Sequence, residues 1–69
     1  MQEIKLRDEY IKLGQAIKAA GMVSSGIDAK IVITGGEVKV NGEVDLRRGR
    51  KLYDGDVVEF NNEQIVIKG

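Results

Sequence analysis

The stretch richest in chemistry lies between Leu46 and Leu52. Arg47, Arg48, Arg50 and Lys51 fall within five residues, and no acid stands among them. Guanidinium groups are planar forks whose N–H groups match phosphate oxygens, so this run suits a phosphate backbone without any reading of bases. Gly49, in its middle, permits a tight turn or a close backbone approach. The plain alternative is a solvated loop that serves solubility.

Other candidate contacts are dispersed. Lys18 and Lys30 stand on what read as helices, where a lysine often does no more than keep its head in water. Lys39 alternates with Val38 and Val40 and therefore faces outward on a strand, within reach of a nucleic-acid backbone. Ser24 and Ser25 stand at a helix start, where a hydroxyl caps the helix or donates to phosphate; capping is the commoner job. Asn41 reads as a turn residue. Tyr53 follows the basic run and has the right ring to stack on a base. Filling a core that holds a single phenylalanine is the preferred reading for it.

Much chemistry is missing. The chain has no histidine and no cysteine, which removes the commonest general base, the commonest metal ligand, thiolate sites and disulfides together. Asp54 and Asp56 form a possible carboxylate pair, or a hard-cation site with Asp45, but Asp54-Gly55-Asp56 is a turn by composition. Gly35-Gly36 lacks the spacing of a phosphate-cradling loop. No cofactor and no metal are expected, and the protein reads as no enzyme.

The chain has 69 residues and a formal net charge of zero, which by itself disfavours a nucleic-acid binder. Distribution matters more than the sum. From Asp54 onward, Asp54, Asp56, Glu59 and Glu63 face only Lys68, so positive charge concentrates in the preceding segment and sustains a local field there. No apolar run approaches the ~18 residues of a membrane span, and Met1-Gln2-Glu3 does not begin a signal peptide. The expectation is one domain over residues 1–69, cytoplasmic and monomeric, with no membrane partner. Domains of about 60 residues bury only about 60% of their unfolded surface, so the core has little margin.

The elements follow from periodicity. Gln2–Leu6 alternates like a strand, and Arg7-Asp8-Glu9 reads as a turn. Tyr10, Leu13, Ile17 and Ala20 recur at helical spacing up to Gly21, although Tyr10–Lys12 could equally be extended. Ser24 or Ser25 starts a second helix, with Asp28 close to a capping box and suited to the positive end of the helix dipole. Ile27, Ile31 and Thr34 define its expected apolar face, thickened by Val32 and Ile33, and Gly35-Gly36 ends it. Strands then alternate around Val38 and Val40, around Val44 and Leu46, at Val57–Phe60 and at Ile65–Ile67. They are separated by the turns Asn41-Gly42, Asp54-Gly55 and Asn61-Asn62. The class is α+β, with two short helices packed on a small, mostly antiparallel sheet of four to five strands.

Three segments, quoted in order, resemble the S-four RNA-binding domain first defined in a ribosomal small-subunit protein. They are Leu13-Gly14-Gln15-Ala16-Ile17-Lys18, then Ser24-Ser25-Gly26-Ile27-Asp28-Ala29-Lys30, then Gly36-Glu37-Val38-Lys39-Val40-Asn41-Gly42. Asp54-Gly55-Asp56-Val57-Val58 completes the pattern, which covers residues 13–60. Among members of that family the chain resembles most the stand-alone bacterial YbcJ/YaaA group, whose basic loop Arg47-Arg48-Gly49-Arg50-Lys51-Leu52 matches. The resemblance implies the αL arrangement of that domain. It also implies structured RNA as partner, ribosomal RNA in ribosome assembly or translation above all. The residues expected to bind are Arg47, Arg48, Arg50, Lys51, Lys30, Lys18, Lys39 and Ser25. Many family members carry more basic residues on the second helix, where this chain has only Lys30, and that moves the expected contact toward the loop. The rival reading is a protein-interaction module that docks an acidic partner through the basic loop.

Overall fold

A computed structural model describes all 69 residues. Strand β1 (Gln2–Lys5) is followed by the two-residue strand β2 (Ile11–Lys12), which runs directly into helix α1 (Leu13–Ala19). Helix α2 (Gly26–Thr34) precedes the strands β3 (Val38–Val40), β4 (Glu43–Val44), β5 (Lys51–Leu52), β6 (Val57–Phe60) and β7 (Glu63–Lys68). Five strands form a mixed, mostly antiparallel sheet in the order β1-β7-β6-β3-β4, and β1 alone pairs in parallel, with β7. The other two, β2 and β5, form a separate antiparallel ribbon with Ile11 opposite Leu52 and Lys12 opposite Lys51.

The extended reading of Tyr10–Lys12 is the one realised, so α1 starts three residues later than Tyr10. Lys12 is a poor N-cap residue, and its side chain makes no capping bond. The loop before β5 supplies the missing acceptors instead. Leu13 N–H donates to the Arg50 carbonyl at 2.8 Å and Gly14 N–H to the Arg48 carbonyl at 3.0 Å, which satisfies two of the orphan donors of the first turn. Basic loop and helix start are therefore one construction. Gly21, with φ +76°, ends this helical region as the sequence suggests.

Ser25 caps α2, its hydroxyl accepting the Asp28 N–H at 3.1 Å. Asp28 does not close a capping box; its carboxylate accepts the Ser24 hydroxyl at 2.7 Å. The buried face of α2 differs from the expected one. Ala29 and Ile33 are buried, whereas Ile27 is 73% and Ile31 59% exposed. The helix is apolar on nearly every side, so periodicity alone could not choose its inner stripe.

The β3–β4 hairpin turns on Asn41 (φ 52°) and Gly42 (φ 87°), a pair of left-handed residues suited to a two-residue turn. Asn41 also clasps the chain further on. Its amide donates to Asp56 Oδ1 at 3.0 Å, and its Oδ1 accepts the Val57 N–H at 2.9 Å. Val38–Gly42 and Gly55–Val58, far apart in sequence, are thus one hydrogen-bonded unit.

One core serves the whole molecule. Leu13, Ala16 and Ile17 of α1 and Ala29 and Ile33 of α2 pack with Leu52 over the inner face of the sheet (Val38, Val40, Val58, Ile65, Ile67). The alternation expected at Val44 and Leu46 is inverted. Both are more than half exposed, and Asp45 between them is buried. The ladder to β3 ends at Val44, and the chain then turns inward with Asp45 N–H on the Val38 carbonyl. Tyr53 is likewise outside the core, 45% exposed, correcting its expected burial.

Candidate nucleic-acid interface

The loop from Asp45 to Lys51 is shaped by a carboxylate that stands just before its cations. Asp45 Oδ1 accepts Arg47 N–H at 2.9 Å and Arg47 Nε at 3.1 Å; Oδ2 accepts Arg47 Nη2 at 2.9 Å and Arg50 Nη1 at 2.8 Å. The Arg47 side-chain bonds, opposed by desolvation and helped by the Arg47 N–H and by Arg50, hold the Asp45 carboxyl well below the usual carboxylate range. The same contact raises the Arg47 guanidinium above its ordinary value. The basic run is thus not free of acid in space. Arg47 and Arg50 share one negative charge, and only their outward N–H groups remain for a ligand.

Arg48 has no such partner and lies elsewhere. Its side chain runs across Gly14 so closely that a Cβ there would meet Arg48 Cγ at 2.8 Å. Beside it opens a groove of about 340 Å³ between the start of α1, the start of α2 and the loop. Lys12, Lys18 and Arg48 line it together with Gln15 and the small residues Gly14, Gly26, Ala29 and Gly49, and no acid lines it. Two stretches distant in sequence, Lys12–Lys18 and the loop at Arg48, therefore deliver their cations to one concavity, half of whose lining is glycine and alanine. Such a surface favours an extended anion and leaves the ligand's backbone room to come close.

The remaining expected residues divide. Lys18 lines the groove; Lys51 stands next to it on β5, opposite Lys12. Arg47 is 71% exposed at the loop's outer side, while Arg50 is largely covered. Lys30 is exposed on α2 and does not line the groove. Ser25 does not line the groove, and its hydroxyl is committed to the α2 cap. Lys39 is exposed on the outer face of the sheet, opposite Glu59 and Val44, and so on the side away from the helices.

Sequence reasoning missed Lys12 and Gly14. Lys12 was hidden by the doubt over where β2 gives way to α1, and Gly14 by the usual reading of a helical glycine as a mere weakness. The carboxylates weighed for catalysis all have structural partners. Asp54 accepts the Gly69 N–H at 2.7 Å, Asp56 accepts Tyr53 N–H at 2.8 Å and the Asn41 amide, and Asp45 carries the two arginines. No helix is long and apolar enough to cross a membrane.

Comparison with known proteins places this geometry. The S4 domain family model matches residues 4–68, wider at both ends than the segment whose motifs carry the resemblance. The Probable ribosome maturation protein RlbA of Bacillus subtilis (strain 168) is 50% identical over 66 residues, covering 91% of this chain and 93% of its own. YbcJ of Escherichia coli (strain K12) is 34% identical over 58 residues, covering 84% and 83%. The solution structure of E. coli YbcJ, described as revealing an ALFAL motif involved in RNA-binding, aligns with a TM-score of 0.77 at 31% identity, over 100% of this chain and 89% of that one. The larger 30S ribosomal protein S4e from Thermoplasma acidophilum aligns with a TM-score of 0.70 at 25% identity, over 84% of this chain and 31% of its own. The helix pair and the mixed sheet are thus a shared fold, and the chain belongs to the S4 domain family.

Proposed function

We propose that this chain is a non-catalytic RNA-binding protein that grips the phosphate backbone of structured RNA, and that its RNA is ribosomal RNA during ribosome maturation. The observation that carries the reading is the groove in which Lys12, Lys18 and Arg48 converge without an opposing acid. The names and descriptions of its relatives support the biological setting: RlbA for ribosome maturation and YbcJ for an RNA-binding motif.

The mechanism is electrostatic and geometric. Arg48, Lys18 and Lys12 take successive phosphates along the groove; Lys51 and the outer N–H groups of Arg47 extend the contact beyond its ends. Binding displaces condensed counterions, so affinity falls steeply with salt. A shallow surface made of helix starts and a loop suits the shape and phosphates of folded RNA, since the deep major groove of A-form helices is closed to side chains. Lys30 and Lys39 lie outside this surface and contribute only to the general field.

The test is a titration of a structured ribosomal RNA fragment at several salt concentrations. Wild type is compared with Lys18→Ala/Arg48→Ala and with a triple change of Arg47, Arg48 and Arg50 to alanine. Each lost phosphate contact should flatten the slope of log affinity against log salt by about 1. The double variant should flatten it by about 2. Absence of wild-type binding at low salt, with the fold intact by circular dichroism, would overturn the reading.

A further inference from the structure

The β2–β5 ribbon has an outer face that the phosphate groove shares only at Lys12. Side chains alternate across a strand, so with Ile11 and Leu52 turned inward, Tyr10 and Lys12 share the outer face with Lys51 and Tyr53. The register sets Lys12 directly opposite Lys51, and it extends one step to set Tyr10 beside Tyr53. The contacts agree with that register. The two rings lie 6.1 Å apart at 53°, and Lys51 Nζ sits 4.7 Å above the centre of the Tyr10 ring. Both of the chain's tyrosines and two of its lysines thus tile one small surface.

The parts of this surface are not equivalent. Tyr10 is half-buried, with one face under Lys51 and its ring tilted against that of Tyr53. Tyr53 is 45% exposed, and its backbone is fixed by Asp56, which accepts the Tyr53 N–H at 2.8 Å and returns its own N–H to the Tyr53 carbonyl at 3.1 Å. An exposed aromatic ring on a fixed backbone, beside a second ring and on the same face as two cations, is what an unstacked base needs: a flat face for the base and a positive charge for its phosphate. The ribbon is also continuous with the groove. Lys12 belongs to both, and the carbonyls of Arg48 and Arg50, in the loop that leads into Lys51, cap the helix that follows Lys12.

We propose that the outer face of the β2–β5 ribbon is a docking platform for one unpaired nucleotide of the bound RNA, its base stacked on Tyr53 and its phosphate held between Lys12 and Lys51. The proposal rests on the RNA-binding reading and adds to it: the partner is then an RNA helix interrupted by a bulge or flanked by a single strand, not an uninterrupted duplex. The groove holds the helix backbone, and the ribbon takes the nucleotide that leaves the stack. Stacking tolerates any base, so the platform selects for an unpaired position and not for its identity.

The test pairs a blunt RNA duplex with the same duplex carrying one bulged uridine. Wild type should bind the bulged RNA about tenfold more tightly. Tyr53→Ala should erase that preference while leaving affinity for the blunt duplex and its salt slope unchanged, and Tyr53→Phe should keep it. The chain has no tryptophan, so a Tyr10→Phe background, which preserves the ring beneath Lys51, leaves Tyr53 as the only tyrosine emitter. Its fluorescence should be quenched by the bulged RNA and not by the duplex. Equal affinity of wild type for the two RNAs, or tyrosine emission indifferent to the bulged one, overturns the platform alone. Failure of wild type to bind either RNA at low salt overturns the RNA-binding reading and the platform with it.

Discussion

Asp45→Asn isolates what the buried carboxylate does, because it keeps the shape and removes the charge. Of the four hydrogen bonds that Asp45 accepts, asparagine can retain the two on Oδ1, from the N–H and Nε of Arg47. The other position becomes an NH₂ group facing Arg47 Nη2 and Arg50 Nη1, which stand 2.9 and 2.8 Å from Oδ2 in the wild type. Three donors then converge where one acceptor stood. The Arg47 guanidinium is 71% exposed, so solvent screens its contact and its share of the stability is discounted. The Arg50 contact is largely covered, and a charge-assisted bond of that kind contributes about 2 kcal/mol. A domain of this length is stable by roughly 3–10 kcal/mol, so the melting temperature should fall by about 10 °C. The pH dependence has a definite sign. The folded-state pKa of Asp45 is depressed from 3.8, so its contribution is complete above that value and is lost as pH falls through the folded one. The gap between wild type and variant should therefore be constant near neutrality and should narrow below about pH 4. RNA affinity offers a second sign. Net charge alone makes the variant, one unit more positive, the tighter binder; a loop held in shape by Asp45 makes it the weaker one. Thermal melts from acid to neutral pH and an RNA titration decide. A variant that melts with the wild type at neutral pH and binds RNA more tightly would refute the scaffold role of Asp45.

Other substitutions separate the surfaces. Gly14→Ala should not raise the melting temperature, since the helix propensity gained, up to about 1 kcal/mol, is offset by a methyl group pressed against Arg48 Cγ in a buried site. It should also weaken RNA binding, because a Cβ there would stand 2.8 Å from Arg48 Cγ and force that side chain to move; unchanged affinity would remove Arg48 from the contact. Lys39→Ala should leave the salt slope as it is, whereas Arg48→Ala should flatten it by about 1, read from titrations at matched salt. Ser25→Ala removes the cap that receives Asp28 N–H and should lower stability by about 1 kcal/mol in denaturant unfolding, with little direct effect on the RNA contact.

The elements that the sequence announced well are those whose signals are local. Asn41-Gly42 and Asn61-Asn62 carry left-handed residues, Gly21 and Gly36 end the helical segments, and the strands of the sheet alternate between them. Periodicity failed where both alternatives are apolar, as on α2, and where a strand is too short to enforce its own alternation, as at Val44–Leu46. The second failure has a functional consequence. Read as a strand, the segment sends Asp45 to solvent and leaves the arginines after it unpaired; folded, it buries Asp45 and halves the charge that Arg47 and Arg50 can offer. The groove was legible only in part for the same reason that it works. Its cations come from β2, α1 and the loop, and no window of sequence contains them together. What brings them together is the exchange at the start of α1, where Lys12 cannot cap and the carbonyls of Arg48 and Arg50 do so instead. The bonds that complete the helix therefore also fix the basic loop against it, so folding of α1 and assembly of the basic groove are a single event. A change that frays this helix start should loosen the loop even where no cation is touched.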